Sequence, residues 1–212
     1  SILSGQNVAK ALQGEGYLVK IYELNADISS LIKVLQKEKP DVVFNALHGK
    51  YGEDGCIQGL LNLMKIPYTH SGVLASSVGM DKAMTCLLAQ KAGIPIPTGK
   101  LMTKPEFLKH APKYPYVVKP NDDGSSVGVF IVKTDTDKKE ALNKWPNNKK
   151  MLVEKYIDGR ELSVAVLDGK GLGVVEIVPK TGYYDYKNKY TSGAAHHIVP
   201  ADLAKGTYQK LI

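Results

Sequence analysis

The sequence predicts an α/β protein that opens on a doubly wound parallel-sheet domain, and two observations carry that expectation. Apolar residues switch between helical and extended spacing: Ile28, Leu31, Ile32 and Leu35 fall at i, i+3, i+4 and i+7, whereas Val42 to Leu47 is a short apolar run. Segments of the two kinds alternate up to Asp81, which is how a parallel sheet covered by helices is built.

In chain order, Ser4 is placed to cap a helix bearing Val8, Ala11 and Leu12, which Gly14 and Gly16 end. Tyr17 to Leu24 reads as a strand, the Ile28–Leu35 helix closes at Pro40, and Val42 to Leu47 reads as a buried strand. Ile57, Leu60, Leu61 and Met64 mark another helix, and Tyr68 starts a short extended segment. Doubly wound domains normally begin on a strand, so the helical opening leads us to expect a strand and loop ahead of Ser1. Asp81 to Ala92 is expected as a helix with Gly93 behind it, followed by the proline-stiffened connection Ile94 to Thr98.

Thr103 and Glu106 have the spacing of a capping box, with Pro105 in the first turn. Tyr116 to Lys119 and the run from Val129 read as strands joined by a Gly/Ser-rich loop. A short helix near Lys138 to Lys144 is expected next, then strands at Met151–Lys155, Glu161–Leu167 and Leu172–Val178, the last two joined through Asp168–Gly171. From Pro179 to Pro200 there is no clear periodicity, and a long loop of this kind is usually a functional lid. A helix starts near Pro200.

With 43% apolar and 23% charged residues, the 212-residue chain has an ordinary globular composition. No apolar run approaches the ~20 residues of a membrane span, and Ser1 to Gly5 lack the features of a signal peptide. The net charge of +7 comes from scattered lysines, with Arg160 the single arginine. Such a surface suits a small polyanion, and no nucleic-acid partner is expected. Cys56 and Cys86, without CxxC spacing, are expected as small buried hydrophobes in a reducing, cytoplasmic setting.

Four stretches carry candidate chemistry. The loop Asn121 to Gly128 holds Gly124, Ser125, Ser126 and Val127, and Lys119 stands at its root. Its backbone N–H groups and hydroxyls suit a phosphate, while a plain polar hairpin turn stays open as the alternative. His48-Gly-Lys-Tyr-Gly-Glu-Asp-Gly55 follows a buried strand directly, where α/β sheets bind ligands, with His48 and Glu53 its polar members. Lys82 opens a helix against the helix dipole, a misfit that an anion would relieve. Glu154-Lys155-Tyr156-Ile157, followed by Glu161, sets a carboxylate, a backbone edge and an apolar patch together, as a purine nucleoside would need. Gly169-Lys-Gly-Leu-Gly173 has no helix behind it and is no dinucleotide fingerprint. His196 and His197 lack acidic or cysteine partners at ligand spacing, so no metal site is expected within the chain.

Tyr183-Tyr-Asp-Tyr-Lys-Asn-Lys-Tyr190 packs four tyrosines and two lysines into eight residues, a poor core and a good polar lid. With that segment the ordered set H-G-x-x-G-E-D-G, M-D-K, V-K-P-x-x-x-G-S-S-V-G, E-K-Y-I-x-G-x-E and Y-D-Y-x-x-K-Y is complete, and it closely resembles the D-alanine–D-alanine ligases of the ATP-grasp superfamily. The resemblance runs from Ser1 to about Ala201, and motifs in this order are specific where each alone is weak. It implies a substrate-side domain over 1–81, an antiparallel ATP-grasp small lobe over 82–157 and the start of an incomplete C-terminal lobe over 158–212.

By the same resemblance, Lys82 and Lys119 contact ATP phosphates and the Gly124–Gly128 loop covers them. Glu154, Lys155, Tyr156 and Ile157 line the adenine site, Glu161 takes the ribose, and His48 and Glu53 lie on the D-alanine side. Tyr184 and Lys189 sit near the nucleotide, and Tyr190 hydrogen-bonds Ser125 as the lid closes, which makes Ser125 and Tyr190 the catalytic pair. The family's reaction joins two D-alanines through an acyl phosphate to supply peptidoglycan precursors, and a lid that excludes water protects such an intermediate. Asp123 departs from the family's usual glutamate. The ligands for Mg²⁺ (or Mn²⁺) and a transition-state arginine are expected beyond residue 212, and a glutamate for the first D-alanine ahead of Ser1. This stretch alone is therefore expected not to catalyse ligation. A homodimer is implied by the resemblance only. Two other readings stay open: another ATP-grasp carboxylate–amine ligase, and a noncatalytic nucleotide-binding module.

Overall fold

The computed structural model describes residues 1–24, 27–180, 182–184, 188–189, 191 and 193–212. The chain divides into two compact units, Ser1–Ile94 and Pro95–Ile212.

The first unit carries α1 (Ile2–Gly14), α2 (Ile28–Glu38), α3 (Cys56–Leu63), α4 (Val73–Met80) and α5 (Lys82–Lys91). Its core forms where the apolar stripe of α2, Leu31 and Leu35, meets Ile57 and Leu61 of α3. Asp27 caps α2 by accepting from the Ser29 N–H at 3.0 Å, and Asp81 caps α5 by accepting from the Met84 N–H at 2.9 Å.

Among the described residues the parallel pairing of this unit is a single bridge between Val43 and Tyr68. Val43 N–H donates to Pro67 at 2.8 Å and Thr69 N–H to Val43 at 3.2 Å. Tyr17 to Leu24, read from its apolar content as a strand, forms no ladder. Tyr22 and Leu24 pack on the α2–α3 core, but Leu18 is 94% exposed. Alternation there directs side chains without giving the backbone a partner, and a strand needs the partner. The first helix also begins earlier than expected, with Ser1 at its N-cap and Ser4 inside its first turn. The helix α4 was not foreseen, because Ala75, Ser76, Ser77 and Gly79 leave no apolar stripe to read. Cys56 is exposed and Cys86 half-buried, neither in a disulfide, so Cys56 is not the buried hydrophobe expected of it. It is the first residue of α3, where the chain enters from the 48–55 loop.

In the second unit β1 (Gly99–Met102), β2 (Tyr116–Pro120), β3 (Phe130–Val132) and β4 (Met151–Lys155) make an antiparallel sheet in the order β1-β4-β2-β3. One face packs on α6 (Lys104–His110) and α7 (Asp135–Lys144), with Phe107, Tyr116, Val118, Val132, Met151 and Val153 in the core. Both helices start in capping boxes, Thr103 with Glu106 and Thr134 with Asp137. Strict alternation along β2 buries Tyr116, Val118 and Pro120 and leaves Val117 and Lys119 on the other face.

The second sheet has the order β5-β6-β7, from Glu161–Leu167, Lys170–Pro179 and Ala195–Ile198. Asp168 (φ 49°) and Gly169 (φ 74°) turn β5 into β6, both left-handed as a tight hairpin requires. Arg160 grips this sheet: its Nε and Nη2 donate to Glu176 at 2.7 and 2.5 Å, and Nη2 also donates to the Asp202 carbonyl at 2.8 Å. α8 (Lys205–Leu211) closes the unit, its Tyr208 hydroxyl accepting from the Val174 N–H. Strand β7 lies within the stretch read as aperiodic, and β1 directly follows the stretch read as a connection, in residues assigned to no element.

Candidate active site

In the second unit the open face of the first sheet carries the charged centre of the site. Lys119 on β2 and Glu154 on β4 form an ion pair with Nζ 2.5 Å from Oε2. Their register explains the contact: Glu154 lies opposite Val117, so Lys119 is its diagonal neighbour on the same face. On its other side Glu154 lies opposite Gly99. A Cβ at Gly99 would stand 2.6 Å from the Glu154 Cγ, so the glycine makes room for the carboxylate arm.

The Gly/Ser loop rises from the end of β2. Ser125 (φ 52°), Ser126 (φ 58°) and Gly128 (φ 70°) are all left-handed, and two successive non-glycine residues in that region are uncommon. Val127 N–H donates to Gly124 at 3.1 Å to close the turn. Turns of this kind point successive N–H groups to one side, a concavity suited to an anion.

The tyrosine segment touches this loop. Ser126 Oγ donates to the Tyr184 carbonyl at 3.1 Å, and Tyr183 donates through its hydroxyl to the Val129 carbonyl at 2.8 Å. Asn188 Nδ2 donates to the Tyr183 carbonyl at 2.7 Å. The Lys189 ammonium lies 5.2 Å from the centre of the Tyr184 ring. Burial raises the pKa of the Glu161 carboxyl, and the charge of Lys189 acts against that. Lys119, Gly124, Ser126, Glu154, Glu161, Tyr184 and Lys189 all belong to this unit; Lys119 contacts Glu154, and Ser126 and Lys189 both contact Tyr184. Lys155, the last residue of β4, and Ile157 beyond it are exposed, and Tyr156 lies under the Lys133 ammonium, which is 5.3 Å from its ring centre. Tyr190 lies outside the described residues, so its expected bond to Ser125 does too.

In the first unit the 48–55 loop is pinned from beneath. Asn45 and Gln58, both buried, donate to the Gly52 carbonyl at 2.8 and 2.9 Å. A Cβ on Gly52 would fall 2.4 Å from the Leu47 Cβ, so only glycine fits there. Glu53 folds back to accept from the Gly49 N–H at 2.5 Å, and Nε2 of His48 lies 3.3 Å from Ser4 Oγ. Lys82 is the first residue of α5, directly after its cap Asp81.

Sequence reasoning missed Gly99, Asn45 and Gln58, and it weighed His197 only as a metal ligand. His196 pairs with Val178 and His197 with Ile177, so the two imidazoles leave opposite faces of β7 and cannot share an ion.

Two family models match the chain: D-ala D-ala ligase C-terminus over residues 88–212 and D-ala D-ala ligase N-terminus over residues 25–71. The chain belongs to the D-alanine–D-alanine ligase family. A D-alanine–D-alanine ligase of Agrobacterium fabrum is 47% identical over 216 residues, spanning 100% of this chain and 69% of that protein. One from Paramagnetospirillum magneticum is 45% identical and spans 98% of this chain and 68% of that protein. The crystal structure of the Bacillus anthracis ligase superposes with a TM-score of 0.80 at 32% identity, covering 98% of this chain and 69% of its own. The same enzyme complexed with ATP gives 0.76 at 31% identity, with 98% and 68% covered. The antiparallel sheets of the second unit are thus those of the ATP-grasp fold that the ligase family shares.

Proposed function

We propose that this chain serves the ATP-dependent joining of two D-alanines into D-alanyl-D-alanine, for peptidoglycan precursors in the cytoplasm. The observation that carries the reading is the Ser126–Tyr184 contact, which joins the start of the tyrosine segment to the Gly/Ser loop that rises from the strand bearing Lys119. In this reading Lys82 and Lys119 bind the ATP phosphates under Gly124, Ser125, Ser126 and Val127. Glu154, Lys155, Tyr156 and Ile157 take the adenine, Glu161 the ribose, and Tyr184 and Lys189 border the nucleotide. His48 and Glu53 face D-alanine. Ser125 with Tyr190 completes the closed site. The substrate-side domain runs over 1–81, the small lobe over 82–157, and the second lobe starts at 158.

The chemistry follows from charge and water. A D-alanine carboxylate attacks the γ-phosphate and displaces ADP, and the acyl phosphate formed is attacked by the amine of the second D-alanine, which expels phosphate as the amine gives up a proton. Lysine charge favours the transfer, because a phosphoryl transition state spreads negative charge over its oxygens. The tyrosine segment over the loop keeps water from the acyl phosphate. Magnesium or manganese accompanies the nucleotide in this proposal. Among the described residues no group of three His, Cys, Asp or Glu side chains could hold a metal ion. Small-molecule partners and a homodimer complete the proposal, without nucleic acid.

Phosphate release by the full product of the gene, with ATP and a panel of D- and L-amino acids, tests the reading. Release that depends on D-alanine is expected. Equal release across the panel would favour another carboxylate–amine ligase, and ATP binding without any release a noncatalytic module.

A further inference from the structure

Tyr184 is gripped at both ends. Its carbonyl accepts the Ser126 hydroxyl, and its own hydroxyl lies 3.3 Å from Nε2 of His197. The two rings also meet edge to face, with centroids 6.1 Å apart and planes at 78°. A strand-borne imidazole that offers both contacts restrains a phenol more tightly than a hydrogen bond alone, since an edge-to-face pair adds to the bond.

The sheet register explains why residue 197 does this. Glu161 lies opposite Ile177, and Ile177 opposite His197, so the three form one row across β5, β6 and β7. Residues in such a row share a face. Glu161 and His197 therefore flank Ile177 on the side where the Tyr184 ring lies, while His196 projects from the other side. Above the same ring sits the Lys189 ammonium, whose charge reaches Glu161. His197, Tyr184, Lys189 and Glu161 are thus linked in one continuous set.

We propose that His197 is a positioning residue: it anchors the Tyr184 ring to β7, and that ring carries the Lys189 ammonium. The proposal rests on the reading of Lys189 and Glu161 as nucleotide contacts. Ser126 fixes the main chain of Tyr184 to the phosphate loop, and His197 fixes its side chain to the sheet that carries Glu161. One tyrosine so ties the covering loop to the ribose side of the site.

The test compares wild type, His197→Ala, His197→Gln, Tyr184→Phe and the His197→Ala/Tyr184→Phe double variant in the 212-residue chain. Amide hydrogen exchange over 182–194 reads the anchor, and calorimetric titration with ATP reads its consequence. His197→Ala is expected to speed exchange in 182–194 about tenfold, with β5 and β6 unchanged, and to weaken ATP binding about fivefold, as the loss of one hydrogen bond would. His197→Gln, which keeps a polar atom near the phenol, is expected to recover most of both. In the Tyr184→Phe background His197→Ala is expected to add nothing. Unchanged exchange in His197→Ala, or a full further loss in the Tyr184→Phe background, would overturn the proposal. If exchange shows the coupling while wild type binds no ATP, the anchor stands and the nucleotide reading falls.

Discussion

Lys119 and Glu154 hold each other across neighbouring strands, Nζ to Oε2 at 2.5 Å, with Glu154 only 5% exposed and the Lys119 side chain 25% exposed. The pair is asymmetric. The carboxylate is the buried member of the pair, whereas the ammonium still reaches water.

Removing the lysine should therefore cost more than removing the glutamate. Lys119→Met is expected to lower stability by about 2 kcal/mol in urea denaturation, since it takes the Lys119 ammonium from a buried carboxylate. Glu154→Gln is expected to cost about 1 kcal/mol, because the amide keeps a hydrogen bond to Lys119. Equal losses in the two variants would mean that Glu154 has other compensation.

Gly99→Ala tests the room made for the carboxylate arm. The added Cβ would meet the Glu154 Cγ at 2.6 Å and the Val153 carbonyl at 2.9 Å, and the backbone contact cannot swing away. A loss of about 2 kcal/mol is expected, in the range of overpacked sites. Weaker ATP binding should accompany it as Glu154 is pushed aside, and a variant as stable as wild type would place the strands further apart than they lie here.

Ser126→Ala removes the hydroxyl that reaches the Tyr184 carbonyl. ATP affinity is expected to fall about fivefold, the equivalent of ~1 kcal/mol for one hydrogen bond. Ser125→Ala is expected to slow phosphate release with a smaller effect on affinity, because its assigned partner is Tyr190. Identical effects of the two substitutions on both measurements would remove this division of roles.

Acid sensitivity follows from Arg160 and Glu176. The guanidinium hydrogen bonds hold the Glu176 pKa below its ordinary value of 4.5. A pKa depressed by folding contributes stability that is complete above the unfolded value and disappears as pH falls through the folded one. Melting temperature should therefore drop as pH is taken down from 4.5, and Arg160→Gln should flatten that drop while lowering the melting temperature at pH 7. Parallel curves for the two proteins would show that other carboxylates dominate acid unfolding.

The site was legible wherever its chemistry is local. Lys119, the Gly124–Gly128 loop, Glu154 and the tyrosine segment each sit in a short run whose residue types have few other uses together, and in the second unit Lys119 meets Glu154 while Ser126 meets Tyr184. Features that depend on what a distant strand places opposite were not legible. Gly99 is an ordinary glycine until β4 sets Glu154 against it. His197 is half of a histidine pair until β6 aligns it with Glu161. The strand expected over Tyr17 to Leu24 failed for the same reason, since a backbone partner cannot be read from a segment's own alternation.

By itself the sequence determined the α/β class, the capped helices, the alternating strands of the small antiparallel sheet and the ordered motifs of a D-alanine–D-alanine ligase. Those properties follow from periodicity, capping and turn chemistry, which act over a few residues. Only the tertiary structure decided that Lys119 pairs with Glu154, that Ser126 reaches Tyr184, and that His197 shares a face with Glu161. Each is a question of register between strands or loops distant in the chain, and a shift of one residue would turn the side chain to the opposite face.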